Sequence, residues 1–199
     1  MTGAGSVAAA IIGGGKAARL GGRPKHLLMV DGRRIVDRQL EALRACFAHV
    51  LIAANDAAAW AGLGLMVIDD RVTGGVGPLA GIDATLGALP PGIDAVVCVA
   101  CDMPYLDPRA LVLVRDHAPD ADVAIPIVGG LPEPLFARYG RGCAAAIRAQ
   151  LASGDYKVTH FLDRVRVAWI DEPTLRVVDP ALRSLTNVNT LGDLRLNGK

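Results

Sequence analysis

Apolar residues along this 199-residue chain fall into short runs separated by glycine, proline and charge, and the runs alternate between two spacings. Val7 to Ile12, Val50 to Ala53, Leu65 to Ile68 and Ala95 to Ala100 are continuous apolar blocks of strand length, as in strands buried on both faces. Between them the period lengthens. Val36, Leu40, Leu43 and Phe47 recur at spacings of four, three and four, with Asp37, Arg38, Glu41 and Arg44 mostly turned outward, which predicts an amphipathic helix. Further helices are predicted through Leu86 and Leu89, from Pro108 through Leu111 and Val114, over Cys143 to Leu151, and briefly over Thr159 to Leu162. Leu27 to Val30 reads as a short strand turned by Asp31-Gly32. Val123 to Val128, Gly129-Gly130 and Pro134 to Tyr139 read as a hairpin-like excursion, and Arg166 to Ile170 as a last strand. Strands alternating with helices predict an α/β fold: a three-layer α/β/α sandwich on a mostly parallel, Rossmann-like sheet.

Composition narrows the partners. Lys and Arg number 21 against 20 Asp and Glu, so the net charge is +1 and the chain lacks the bulk positive field of a nucleic-acid binder; any anion site must be local. The apolar runs stop well short of the ~20 residues of a membrane span, and Met1-Thr2-Gly3-Ala4 lacks a basic leader region, so a cytoplasmic protein is expected. No linker or repeat divides the chain, and one domain over 1–199 is expected. Cys98-Val99-Ala100-Cys101 has CxxC spacing. It lies in a strand-like run where residues three apart face opposite ways, and no second ligand pair accompanies it, so neither a redox nor a metal site is expected.

The chemistry concentrates in loops after the apolar blocks. The first block opens into Gly13-Gly14-Gly15-Lys16-Ala17-Ala18-Arg19-Leu20-Gly21-Gly22-Arg23-Pro24-Lys25, a phosphate-binding loop in which glycines allow backbone N–H groups to approach an anion and Arg19 and Lys25 add charge. A nucleoside triphosphate is its natural guest. A P-loop is excluded because Ala17 follows Gly15-Lys16 where a hydroxyl is needed. A dinucleotide fingerprint is disfavoured because Gly21, Gly22 and Pro24 cut short the helix it must open, leaving a long loop with a short helical piece. Asn55 and Asp70 each follow a strand, at the carboxyl edge where ligands bind in open α/β sheets, although as single residues each also reads as a cap or turn. A second glycine-rich loop, Thr73 to Ile82, reads equally as a ligand cradle or a crossover connection. The block ending at Ala100 delivers Cys101-Asp102-Met103-Pro104, with Pro104 restricting Met103. Asp102 is thereby presented where a carboxylate can hold Mg²⁺ against triphosphate oxygens.

With these residues in order, the chain resembles the molybdenum cofactor guanylyltransferases, within the wider nucleotidyltransferase group that includes sugar-nucleotide pyrophosphorylases. The carriers are the glycine-rich loop with Arg19 and Lys25, Gly77-Pro78-Leu79-Ala80-Gly81, Cys101-Asp102-Met103-Pro104, Pro134-Leu135 and Asn187-Val188-Asn189-Thr190. The resemblance implies a nucleotide-diphospho-sugar transferase-like fold and transfer of GMP from Mg²⁺·GTP to molybdopterin or its metal-loaded form, with pyrophosphate released. It implies that Ile12, Gly13, Gly14, Gly15, Lys25, Asn55, Asp70, Gly81 and Asp102 hold GTP, that Arg19, Lys25 and Asp102 serve catalysis with Asp102 on Mg²⁺, and that Asn187 and Asn189 face the pterin. The N-terminal half would then bind nucleotide and the C-terminal half the pterin, with other cofactor-biosynthesis proteins as further partners. Three positions depart from the family pattern: Pro24 stands where an acidic residue is common, Lys16 where many relatives have serine, and Leu191-Gly192 where a proline-acid pair is usual. Gly13-Gly14 favours guanine over the cytosine of the sister cytidylyltransferases, which tend to carry alanine there. A sugar-1-phosphate nucleotidyltransferase and a non-catalytic nucleotide-binding module are the alternatives.

Overall fold

The structure, a computed structural model, describes residues 7–13, 19–20, 23–69 and 77–188. Its strands are β1 (Val7–Ile12), β2 (Arg19–Leu20), β3 (Arg23–Pro24), β4 (Met29–Val30), β5 (Arg33–Arg34), β6 (Val50–Ala53), β7 (Val67–Ile68), β8 (Ala95–Ala100), β9 (Val123–Val128), β10 (Leu131–Pro132), β11 (Phe136–Gly140) and β12 (Val167–Asp171). The α-helices are α1 (Ile35–Cys46), α2 (Pro78–Ala88), α3 (Pro108–Asp116), α4 (Ala144–Ala152) and α5 (Glu172–Val178). Eight strands form one mixed sheet in the order β10, β9, β11, β8, β1, β6, β7, with β12 paired to β9. β1 runs parallel to both β6 and β8, and β7 parallel to β6, whereas β11 enters antiparallel to β8 and β9. Four neighbouring strands therefore release their chains at one carboxyl edge.

The continuous apolar blocks have the cause that their pattern implies. Along β1, Ala9 and Ile11 join the core under α1, α3 and α5, while Ala8, Ala10 and Ile12 join the core under α2 and α4. β8 divides likewise, Val97 and Val99 to one side and Val96 and Cys98 to the other. A strand covered on both faces has no solvent side on which a polar residue could alternate. The result is the three-layer sandwich.

Local chemistry sets the ends of the elements. Asp107 accepts a bond from the Arg109 N–H at 2.8 Å and Pro108 occupies the first turn, so α3 starts there; Asp171, accepting from Thr174 at 2.9 Å, starts α5 in the same way. Asp31-Gly32 and Gly129-Gly130 have φ of +50°, +75°, +57° and +79°, the all-positive pair that a two-residue hairpin turn requires. Several boundaries differ from the sequence pattern. The strand expected over Leu27 to Val30 is a 3-10 turn, Lys25–Leu27, followed by the two-residue β4. Arg19–Leu20, expected to adjoin a helical piece, is extended and pairs with β3; residues 14–18, on which the rest of that piece falls, lie outside the described residues. The β7 strand is shorter than Leu65 to Ile68, and α5 has no counterpart in the sequence pattern.

The CxxC pair separates as expected: Cys98 packs in the α2/α4 core and Cys101 in the α1/α3 core, and all four cysteines are free. Burial pushes the thiols of Cys101 and Cys143 up to about 12, and that of Cys98 higher still. No helix among the described residues is long and apolar enough to cross a membrane. An aromatic disulfide reagent should accordingly titrate at most one thiol of the native protein, the half-buried Cys46, and all four after denaturation. Rapid native reaction of two or more thiols would contradict this packing.

Candidate active site at the carboxyl edge

Ile12 of β1 lies in register with Ala53 of β6 and Ala100 of β8, so three chains leave the sheet side by side. The ladder continues past the strand ends: the Gly13 N–H donates to the Ala53 carbonyl at 2.8 Å, and the Cys101 N–H to the Ile12 carbonyl at 3.2 Å. One residue further, Asp102 sits in a turn in which the Met103 N–H returns to the Ala100 carbonyl at 3.3 Å. Its carboxylate meets Lys25 Nζ at 2.8 Å, and both side chains are largely withdrawn from water, 15% and 7% exposed. Removing Lys25 would deprive a carboxylate largely withdrawn from water of this counter-charge. Pro24, with φ −58° and ψ 128°, leads into the 3-10 turn from which Lys25 reaches the carboxylate.

Two more sequence-predicted residues gather here. The Val188 N–H donates to the Asp102 carbonyl at 2.9 Å, and the Val188 side chain is fully buried with Leu28, Val30, Ile35 and Tyr105. This docks the Thr186 to Val188 segment on the Asp102 turn and brings Asn187 to it, with a buried Oδ1 that finds no hydrogen-bond partner among the described residues. Asn55 is exposed beyond β6 on the same edge, whereas Gly81 is buried within the first turns of α2, where its carbonyl accepts from Thr85 at 2.7 Å. Gly14, Gly15, Asp70 and Asn189 lie outside the described residues, and of Arg19 only the strand is described.

Gly13 is glycine for a reason that the sequence does not disclose. A Cβ there would stand 2.2 Å from Trp60 Cζ2 and 2.9 Å from Cε2. The Trp60 indole stacks on His26 with centroids 3.7 Å apart and planes 13° from parallel, and His26 Nε2–H donates to the Ala59 carbonyl at 2.9 Å. One indole thus fills the Cβ space of Gly13 while its ring face lies on the residue after Lys25. The idea that three glycines all free N–H groups for phosphate needs correction at Gly13: its N–H is spent on β6 and its missing side chain makes room for Trp60.

Sequence reasoning missed Trp60, His26 and Gln39. Gln39 had a signal: it falls three residues after Val36 and four before Leu43, on the apolar stripe of α1, and it is fully buried. Trp60 has none, since its contacts are distant in sequence. A hollow of about 480 Å³ beside the turn, lined by Arg33, Arg38, Tyr105 and Arg183 among others, includes neither Lys25 nor Asp102 and has balanced charge.

Comparisons with known proteins bear on the family and the fold. The profile of the MobA-like NTP transferase domain matches residues 9–168. The chain is 37% identical over 185 residues to a probable molybdenum cofactor guanylyltransferase of Pelotomaculum thermopropionicum, covering 92% of this chain and 88% of that protein. It is 32% identical to the molybdenum cofactor guanylyltransferase of Desulfosudis oleivorans, covering 95% and 93%. The crystal structure of molybdopterin-guanine dinucleotide biosynthesis protein A from Archaeoglobus fulgidus superposes with a TM-score of 0.81 at 27% identity, over 96% of each chain. A 2-C-methyl-D-erythritol 4-phosphate cytidylyltransferase from Thermus thermophilus, at 18% identity and a TM-score of 0.68 over 95% and 96%, shares the fold.

Two outcomes follow from the Trp60 contact. Gly13→Ala should destabilise the protein by about 1–3 kcal/mol through overpacking, and a second substitution, Trp60→Leu, should remove most of the penalty of the alanine, measured as a double-mutant cycle in urea. Additive losses would disprove the contact. Burial chiefly lowers the His26 pKa below its ordinary 6.5, with the Arg34 charge acting in the same direction, while the bond to Ala59 and the Asp56 charge oppose. The unfolded chain therefore takes up that proton first. His26 stability is fully present above pH 6.5 and declines as pH falls towards the folded pKa, so urea midpoints between pH 7 and about pH 5 should fall less for His26→Gln than for the wild type. Parallel curves would refute the shift.

Proposed function

Because the chain belongs to the MobA-like NTP transferase family, a nucleotidyltransferase family, we propose that it transfers GMP from GTP to the phosphate of molybdopterin or its metal-loaded form, releasing pyrophosphate. The observation that carries this reading is the Lys25–Asp102 pair, one cation and one carboxylate held 2.8 Å apart at the edge where the glycine-rich loop leaves β1. The acceptor's phosphate monoester is already an anionic nucleophile, so no serine, cysteine or general base is required of the protein. An acceptor oxygen bonds to the α-phosphorus, the bond to the bridging α–β oxygen breaks, and the electron pair leaves with pyrophosphate. What this chain supplies is alignment and charge.

Lys25 is the described cation nearest that chemistry, and Asp102 holds it by ion pairing at a site of low water access, where its field on a phosphate oxygen is strong. Ile12, Gly13, Gly14 and Gly15 would line the nucleotide, with Gly13 contributing its shape and carbonyl rather than its N–H, and Asn55, Asp70 and the Gly81 turn would surround base and ribose. Arg19 would add charge to the same loop. Asn187 and Asn189 would meet the acceptor, and the bond from the neighbouring Val188 N–H to the Asp102 carbonyl, which brings this segment to the Asp102 turn, supports this. The N-terminal half of the one domain would hold nucleotide and the C-terminal half the pterin, in the cytoplasm.

Asp102 would also hold Mg²⁺. No cluster of three metal-ligating side chains exists among the described residues, and a single carboxylate completed by triphosphate oxygens and water is a usual magnesium arrangement. When bound, the ion would neutralise phosphate charge. GTP is favoured over CTP, and the pterin over a sugar 1-phosphate, because the more similar relatives are named guanylyltransferases.

Pyrophosphate release with GTP or CTP, and with molybdopterin or a sugar 1-phosphate, tests the assignment. GTP with molybdopterin should be the active combination, and equal turnover with CTP would overturn the base assignment. Lys25→Ala should slow that turnover by about one to two decades, the worth of a charge-assisted phosphate contact, and lower the melting temperature because Asp102 loses its ammonium. Wild-type kinetics in a less stable Lys25→Ala protein would make Lys25 purely structural.

A further inference from the structure

Gln39 is the most deeply buried polar side chain near the site that the proposed reaction does not use. It lies on the apolar face of α1 with no exposed surface. Its Nε2 donates to the Ala100 carbonyl at 2.7 Å and to the Met103 carbonyl at 3.0 Å, spanning the turn that carries Asp102. The amide orientation is forced, because two carbonyl oxygens face it and an oxygen in the place of the nitrogen would be repelled by both. Its own Oε1 is buried without a hydrogen-bond partner among the described residues. An apolar side chain would fill this position on the helix without burying an orphan acceptor, so the amide is costly unless its two bonds matter.

The turn's own backbone bonds are long. The Met103 N–H reaches Ala100 at 3.3 Å and the Cys101 N–H reaches Ile12 at 3.2 Å, against 2.7 and 3.0 Å for the bonds from Gln39. The shorter ties run from α1, a rigid element, to the residues on either side of Cys101-Asp102.

We propose that Gln39 is a positioning residue, fixing the Ala100 to Met103 turn so that the Asp102 carboxylate stands ready for the nucleotide-bound divalent cation. This rests on the reading of Asp102 as the metal carboxylate. Gln39→Met keeps the volume and removes both donors; Gln39→Asn keeps the amide but is one methylene too short to span the turn. The full-length protein is titrated with Mn²⁺ in the presence of GTP and without acceptor, following free Mn²⁺ by electron paramagnetic resonance, with Asp102→Asn alongside and thermal melts of each variant. Both Gln39 variants should bind Mn²⁺ about five- to tenfold more weakly, as the loss of two hydrogen bonds implies, with GTP binding in the absence of metal unchanged. In turnover assays kcat at limiting metal should fall while KM for the acceptor stays constant. Should Gln39→Met fail to fold, Gln39→Asn carries the comparison. Wild-type Mn²⁺ affinity in a folded Gln39 variant, with Asp102→Asn impaired, would overturn the proposal and leave Gln39 as a packing residue. Wild-type affinity in Asp102→Asn would instead remove the metal reading on which it rests.

Discussion

The end of β8 is the constraint from which the rest of the site takes its geometry. Five parts of the chain, remote in sequence, converge on the four residues Ala100 to Met103: β1 through the Ile12 carbonyl, the turn after β3 through Lys25, α1 through Gln39, Leu135 through its carbonyl on Ala100, and the C-terminal segment through the Val188 N–H. Each contact is ordinary in strength. Together they leave the Asp102 turn little freedom, as the proposed role of its carboxylate, meeting a small cation and a triphosphate at fixed distances, would require.

The central sheet makes this convergence possible. β8 and β1 are covered by helices on both faces, so their position is set by two cores rather than one. Parallel neighbours then deliver their following loops to the same edge without further arrangement. A nearly buried ion pair at such an edge is costly to desolvate and strongly attractive once formed, and of the two side chains Asp102 keeps the greater exposure. The antiparallel β11 beside β8 ends the parallel run, and the chain beyond it returns to the Asp102 turn through the Val188 N–H.

What the sequence shows and hides follows from the range of the forces involved. β1, β6, β8 and α1 are legible because burial imprints a period on neighbouring residues, and Lys25 and Asp102 because charges flanked by turn residues after apolar blocks have few structural uses. The two-residue strands β2 and β3 are too short to carry a period, and α5, at seven residues, is held by its Asp171 cap and packing of Leu175 rather than by a long amphipathic stripe. Gln39 leaves a trace, a polar residue on an apolar stripe, but its partners lie 61 and 64 residues away. Trp60 leaves none.

Gly13 shows how a glycine within a motif can have a physical cause other than the one the motif suggests. A glycine at the head of a phosphate loop is ordinarily read as a backbone donor freed of its side chain. Here the donor is already committed to the sheet, and the absent Cβ is a socket for an indole that comes from beyond β6. The same indole lies on His26, whose neighbour Lys25 reaches Asp102. The missing side chain therefore serves packing: by admitting Trp60, Gly13 ties the start of the loop to His26 and so to the turn that carries Lys25.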